Sequence, residues 1–212
     1  MRVLILGATG RIGGLVLERA VAAGHEVVAL VRDPGRFQPQ EWLTLVVGDV
    51  RDAARVGEAV EGVDAVIAAV GPRSNTQEDE EALALGMRNI VSAMEAAGVR
   101  RLVALSGAGV DVPGDQKPAV DRIASRVVRR FARHVVGAKQ REYEIFAASA
   151  LEWTALRPPL VTDGDPRGYR LDRQLRPGAR VTRVDVAQAL IDQLADTGFV
   201  HAAPFVLPPA KP

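Results

Sequence analysis

Short apolar runs alternate with longer stretches of helical periodicity along the first 105 residues. RVLIL (2–6), EVVALV (26–31), LTLVVGDV (43–50), DAVIAAVG (64–71) and RLVALSG (101–107) have the near-continuous apolar character of strands covered on both faces. The intervening stretches, about 10–23, DAARVGEAVEG and EEALALGMRNIVSAMEAAG, are followed or closed by Gly24, Gly62 and Gly98. A glycine just past the last periodic position is where a helix C-terminus takes a left-handed residue. Strict strand–helix alternation predicts an open parallel sheet with helices on both faces, because parallel neighbours need right-handed crossovers.

The second half is less regular. A loop rich in Gly, Pro and Asp (107–118) leads to a long helical pattern over about 119–149, with Gly137 as its candidate break. EWTALRPP (152–159) reads as a sixth strand, 162–178 as a Gly/Pro-rich connection, 186–196 as a helix capped by Asp185, and PFVLP as a last short strand. No repeat and no linker divides the chain. The expectation is one unit over 1–212, α/β and doubly wound, with a small C-terminal part from about 158–212 covering a pocket.

The strand-to-helix turn at 6–11 gives this frame a chemistry. Gly7, Gly10 and Gly13 stand where a dinucleotide fingerprint stands, after a strand and opening a helix, though as G-x-x-G-x-x-G. Gly7 suits the tight turn, Gly10 the close approach of a pyrophosphate, and Gly13 helix-on-strand packing. Thr9, Arg11 and Ile12 complete the loop. Free N–H groups and the dipole at the helix start favour phosphate. At the end of the second strand, where an acid would hold a ribose 2′-hydroxyl, stands Arg32; with Arg11 and Arg36 it suits a 2′-phosphate. The expected cofactor is therefore NADP(H). Asp33, one residue on, is the competing feature for NAD(H). Further contacts are expected from the strand ends: Asp49 and Val50 on the adenine, then Ala69, Val70 and Gly71 under the ribose. Asp49 as a helix cap and Gly71 as a plain turn are the simpler accounts.

GATGRIGG, VRDP, GDV, GMRNIVSAMEAAGVRRLVALSG and ASALEWTALRPPLVTDG together resemble the atypical short-chain dehydrogenase/reductases, in their NAD(P)H-binding, NmrA-like group. Within it the resemblance is nearest to the biliverdin-IXβ/flavin reductases, over residues 1 to about 195. The resemblance implies an NADPH-binding Rossmann unit with Arg32 at the cofactor, Ser106 at the end of the fifth strand, and Pro158 and Pro159 in the turn after the sixth. Lys139 matches a lysine of many NmrA-like members that precedes E-x-x-L. Leu160 stands where the biliverdin/flavin reductases carry histidine, which puts biliverdin itself in doubt.

Typical short-chain dehydrogenases use Tyr-x-x-x-Lys, in which lysine lowers the tyrosine pKa for proton transfer. Here Tyr143 is followed four residues on by Ala147 and Tyr169 by Arg173, while Lys139 and Tyr143 stand in the reverse order. Alcohol–ketone interconversion and sugar epimerisation are disfavoured. A planar acceptor such as a flavin or quinone takes hydride and draws its proton from water, so proximity and orientation suffice. Ser106 is the candidate hydrogen-bond donor, although a strand-end serine can instead bond its own turn. Ser106 and Lys139 are the candidate catalytic residues; a non-catalytic NADP(H) sensor is the rival.

Composition narrows the partners. With 27 Lys plus Arg against 26 Asp plus Glu, formal charge +1, the chain carries no bias toward nucleic acid. The basic run 122–134 reads as a solvated face, since no aromatics interleave. Without cysteine, and with three scattered histidines, neither disulfides nor a metal is expected. No signal-peptide pattern and no 18-residue apolar run occur. The expectation is a cytoplasmic monomer or homodimer acting on a small molecule.

Overall fold

Period-two alternation decides how the sheet is covered. The computed structural model describes residues 1–115, 132–176 and 178–210. In β1 (Arg2–Leu6), Leu4 and Leu6 enter one core while Val3 and Ile5 enter the other. The same division runs through β2 (Glu26–Val31), where Val28 and Leu30 oppose Val27 and Ala29. β3 (Leu43–Val47), β4 (Ala65–Ala68), β5 (Arg101–Leu105) and β6 (Glu152–Leu156) complete a parallel sheet of order β3-β2-β1-β4-β5-β6.

Helices α2 (Ala53–Val60), α3 (Gln77–Ala97) and α4 (Arg133–Ala147) supply Val56, Met87 and Phe146 to the first core. The second core takes Val16 and Leu17 from α1 (Arg11–Ala22), and Val186 and Leu190 from α5 (Arg183–Asp192). Both faces are thus covered, giving the predicted doubly wound Rossmann-like architecture.

Arg157, just past β6, ties the C-terminal part to the sheet. Only 1% exposed, it donates from Nε to Ala203 O (2.7 Å), from Nη1 to Val110 O (3.1 Å) and from Nη2 to Asp115 Oδ1 (2.7 Å). Its guanidinium carbon lies 3.9 Å from the Phe205 ring centroid. One side chain therefore joins the loop after β5 to the last strand.

Several expected boundaries move. The third to sixth strands stop at Val47, Ala68, Leu105 and Leu156; Gly48, Ala69 and Ser106 each make one more N–H bond to the neighbouring strand before the chain turns away as the strand exits. α5 starts at Arg183 rather than 186, capped by Thr182 instead of Asp185. Thr182 Oγ1 accepts from Asp185 N (3.1 Å) and donates to Asp185 Oδ2 (2.7 Å), a reciprocal capping arrangement. Asp185 also accepts from the N–H groups of Arg167 and Gly168. The Gly/Pro-rich connection contains one short strand, β8 (Arg170–Asp172), and is flanked by two more, β7 (Leu160–Thr162) and β9 (Arg180–Thr182). β7 pairs with β9, and β8 pairs with β10 (Phe205–Leu207). α4 runs through Gly137 without a break. The earlier part of the expected long helix, and Arg122, Arg126, Arg129 and Arg130 of the basic run, lie outside the described residues.

Candidate functional site

The strand order reverses between β1 and β4, and ligands of such sheets bind beyond the carboxyl ends at that point. Gly7 ends β1 at φ 84°, and a Cβ there would meet Ala69 O at 2.5 Å. At Gly13 a Cβ would stand 2.0 Å from Gly7 O. Both glycines are thus required by backbone approach, as their spacing predicts. Gly10 N donates to Gly7 O (2.8 Å) to close the turn. Gly10 is also the N-cap of α1 and brings no side-chain cap, so the first N–H groups of the helix remain available to an anion.

A cavity of about 310 Å³ opens against this turn. Gly7, Thr9 and Gly10 form one wall, Arg32, Asp49 and Val50 the exits of β2 and β3, and Ala69, Val70 and Gly71 the exit of β4. Nine of the residues picked out in the sequence therefore meet there. Of the three expected guanidiniums, Arg32 lines the cavity; Arg11 opens α1, and Arg36 ends a single 3₁₀ turn, Pro34–Arg36. Asp33 caps that turn, its Oδ1 accepting from Gly35 N at 3.0 Å. Arg32 is exposed and has no ion-pair partner among the described residues, so its charge is available to a ligand.

Asp49 is already engaged. Its carboxylate accepts from Arg51 Nε (2.8 Å), Arg51 N (3.0 Å) and Arg73 Nη2 (3.4 Å). The Arg51 hydrogen bond holds the Asp49 carboxyl below its ordinary range. Val50 O accepts from Asn89 Nδ2 (3.0 Å), and a Cβ on Gly86 would stand 2.5 Å from Val50 Cγ2, so α3 packs directly on this exit. Arg51 and Arg73 share the cavity wall and were not singled out from sequence; their signal was only a basic residue one or two positions past the GDV and AVG exits.

The remaining candidates stand off the cavity wall. Ile12 packs on the core under α1. Pro158 is buried and its carbonyl accepts from Ala108 N (3.2 Å), which joins the β5 and β6 exits. Ser106 N donates to Leu156 O (2.8 Å), whereas its Oγ is buried with no partner among the described residues. Lys139 is largely buried, not exposed beside Tyr143, with its side chain 12% accessible. Its Nζ donates to Val70 O (2.7 Å), Leu105 O (2.7 Å) and Glu142 Oε2 (2.8 Å). Glu142 is 1% exposed; burial pushes its carboxyl up while Lys139 pulls it back. Tyr143 instead packs edge-on against Trp153, ring centroids 5.7 Å apart.

A glycine turn under a helix start, a free arginine at the β2 exit and a crevice at the reversal of strand order define a Rossmann-type dinucleotide-binding protein. The chain belongs to the NAD(P)H-binding family, matched over residues 7–197, in keeping with its resemblance to the atypical, NmrA-like short-chain dehydrogenase/reductases. Among curated relatives it is 34% identical over 113 residues to the photosystem II assembly factor Ycf39 of Synechocystis sp., a match covering 50% of this chain and 33% of that protein. It is 32% identical over 148 residues to phenylcoumaran benzylic ether reductase IRL1 of Ginkgo biloba, covering 64% and 45%. These matches thus span a third to under half of either relative's length. In fold it is similar to the anaerobillin reductase ChuY of Escherichia coli O157:H7, with TM-score 0.81, 21% identity and the whole of both chains covered.

Proposed function

We propose that this chain is an NADPH-dependent reductase that passes hydride to a planar acceptor, a flavin or a quinone, as a cytoplasmic monomer or homodimer. The phosphorylated cofactor is favoured by Arg32, exposed at the β2 exit with no ion-pair partner among the described residues, beside an Asp33 carboxylate already held by Gly35. Bound NADPH supplies the hydride. Gly7, Gly10 and the first turn of α1 hold its phosphates, and the β4 and β5 exits orient its far end.

The observation that carries a reductase reading is the Ser106 Oγ, buried without a partner among the described residues at the β5 exit, next to the Leu105 carbonyl that Lys139 holds. A buried hydroxyl without a partner is costly unless a ligand completes it. The test is NADPH oxidation on adding menadione, FMN or riboflavin. Turnover with any of them, reduced at least tenfold in Ser106→Ala, supports the reading.

A second reading, a non-catalytic NADP(H) sensor, is favoured by one observation: all three protons of Lys139 are accepted by protein groups. The likeness to an assembly factor points the same way. Tight NADPH binding without turnover across these acceptors would select it.

A further inference from the structure

Lys139 occupies an unusual place. The β4–β5 ladder ends at the pair Ala68–Ala104, and just beyond it the Lys139 ammonium bridges Val70 O and Leu105 O, 2.7 Å from each. A Cβ on Gly71 would lie 4.0 Å from Lys139 Cε, so the lysine stem also runs beside the exit that lines the cofactor crevice. A cation has thus been placed where two strands separate to admit a ligand.

A largely buried ammonium held by two neutral carbonyls has lost most of its hydration without gaining a counter-charge. Glu142 supplies that counter-charge from one turn along α4, at 2.8 Å. Its own placement has no structural excuse. It lies on the same helix face as Ala138 and Phe146, which enter the core, and its Oε1 has no partner among the described residues. A glutamine or an apolar residue would cost less there unless the charge itself is needed.

We propose that Glu142 is a positioning residue of the reaction site: its buried carboxylate keeps Lys139 charged and locked across the β4 and β5 exits, as a fixed positive charge beside the hydride acceptor. This rests on the reductase reading above. Hydride leaves the reduced dinucleotide with its electron pair and bonds to the acceptor, which becomes an anion; water then delivers the proton. Lys139 keeps all three of its protons and stabilises the anion by charge alone, in a setting that needs no reorganisation.

No other titratable side chain faces the ammonium from the β4 exit (Ala69, Val70, Gly71) or from Leu105 and Ser106. The other ionisable groups of α4 are turned to other partners among the described residues: His134 and Arg141 to Glu80 of α3, at 2.8 and 3.0 Å, Arg133 to His134 at 2.9 Å, Glu144 to Gln140 at 3.3 Å, and Tyr143 to the Trp153 ring.

Two measurements test the proposal. In lysine-labelled protein, with Lys139→Arg to assign the signal, NMR titration compares the Lys139 midpoint in the parent and in variants of Glu142. In Glu142→Gln, which keeps shape and removes charge, the midpoint should fall by about one pH unit or more. The pH profile of menadione reduction by NADPH should then show its alkaline limb moved down by the same amount, with activity recovered at lower pH, whereas Glu142→Asp retains the parent profile.

An unchanged Lys139 midpoint in Glu142→Gln overturns the proposal, as does a loss of activity equal at every pH. If Glu142→Gln does not fold, Lys139→Gln decides instead: a kcat for menadione lowered at least tenfold with NADPH binding kept supports the fixed charge, and any smaller loss overturns it. If no acceptor is turned over by the parent protein, the reductase reading fails, and the NMR titration still decides the role of Glu142.

Discussion

Asp33 Oδ1 accepts the main-chain N–H of Gly35 at 3.0 Å, and the proposed preference for NADPH turns on this bond. It commits the acid at the β2 exit to capping a turn, while Arg32 stands exposed on the cavity wall. Arg32→Ala should therefore weaken NADPH binding by roughly 10- to 100-fold, the range of a charge-assisted phosphate contact, and leave NADH binding within about twofold. Calorimetric titration with both coenzymes checks it. Equal losses for the two would place Arg32 away from the 2′-phosphate.

Two glycines on helices should respond in opposite directions to the same substitution. A Cβ on Gly13 would meet Gly7 O at 2.0 Å, backbone against backbone, so Gly13→Ala must separate α1 from the turn. We expect a loss of about 3 kcal/mol or more, with cofactor binding lost as well. Gly57, exposed within α2, has no neighbour within 4 Å of a Cβ. Gly57→Ala should stabilise by up to about 1 kcal/mol through helix propensity. Urea midpoints of both variants decide the contrast.

What was legible in the sequence follows from what has a period or a forced backbone. β1, β2 and α1 were readable because two-sided burial makes apolar runs, and because Gly7 and Gly13 occupy positions that a side chain cannot share. The exits of β3 and β4 were placed inside strands, since Val50, Ala69 and Val70 remain apolar after they leave the ladder. β7, β8 and β9, three residues each, are too short for any alternation to register. Glu142 escaped notice for a different reason. A glutamate in a helix full of charged residues looks solvated, and only the packing of α4 on the sheet shows it buried against Lys139.

The buried Arg157 should be the most sensitive charged residue outside the crevice. Replacing it by alanine takes the paired guanidinium away from Asp115, whose side chain is 11% accessible, and breaks the links to Val110 and Ala203. The expected cost is about 3–5 kcal/mol, the range for removing one partner of a buried pair. Arg157→Lys should recover little of it, because an ammonium cannot reproduce the two parallel bonds to Asp115 or the contact over Phe205. Thermal unfolding of the two variants is the check; a lysine variant as stable as the parent would show that charge alone suffices.

Asp49 makes stability near the cofactor crevice depend on pH with a definite sign. Its carboxyl sits below the ordinary value of 3.8, chiefly through the Arg51 hydrogen bond, so the folded state holds the proton less tightly than the unfolded chain does. Stabilisation by the pair is then fully present above the ordinary value and lost as pH falls through the lowered one. Both partners are partly solvated and the pair is screened, so the effect is modest. Arg51→Ala should unfold at a lower urea concentration than the parent near pH 6. The two midpoints should draw together as the pH falls through the lowered Asp49 value, where the carboxyl becomes protonated even in the parent. Midpoints that stay equally far apart across this range would assign the role of Arg51 to its packing and not to its charge.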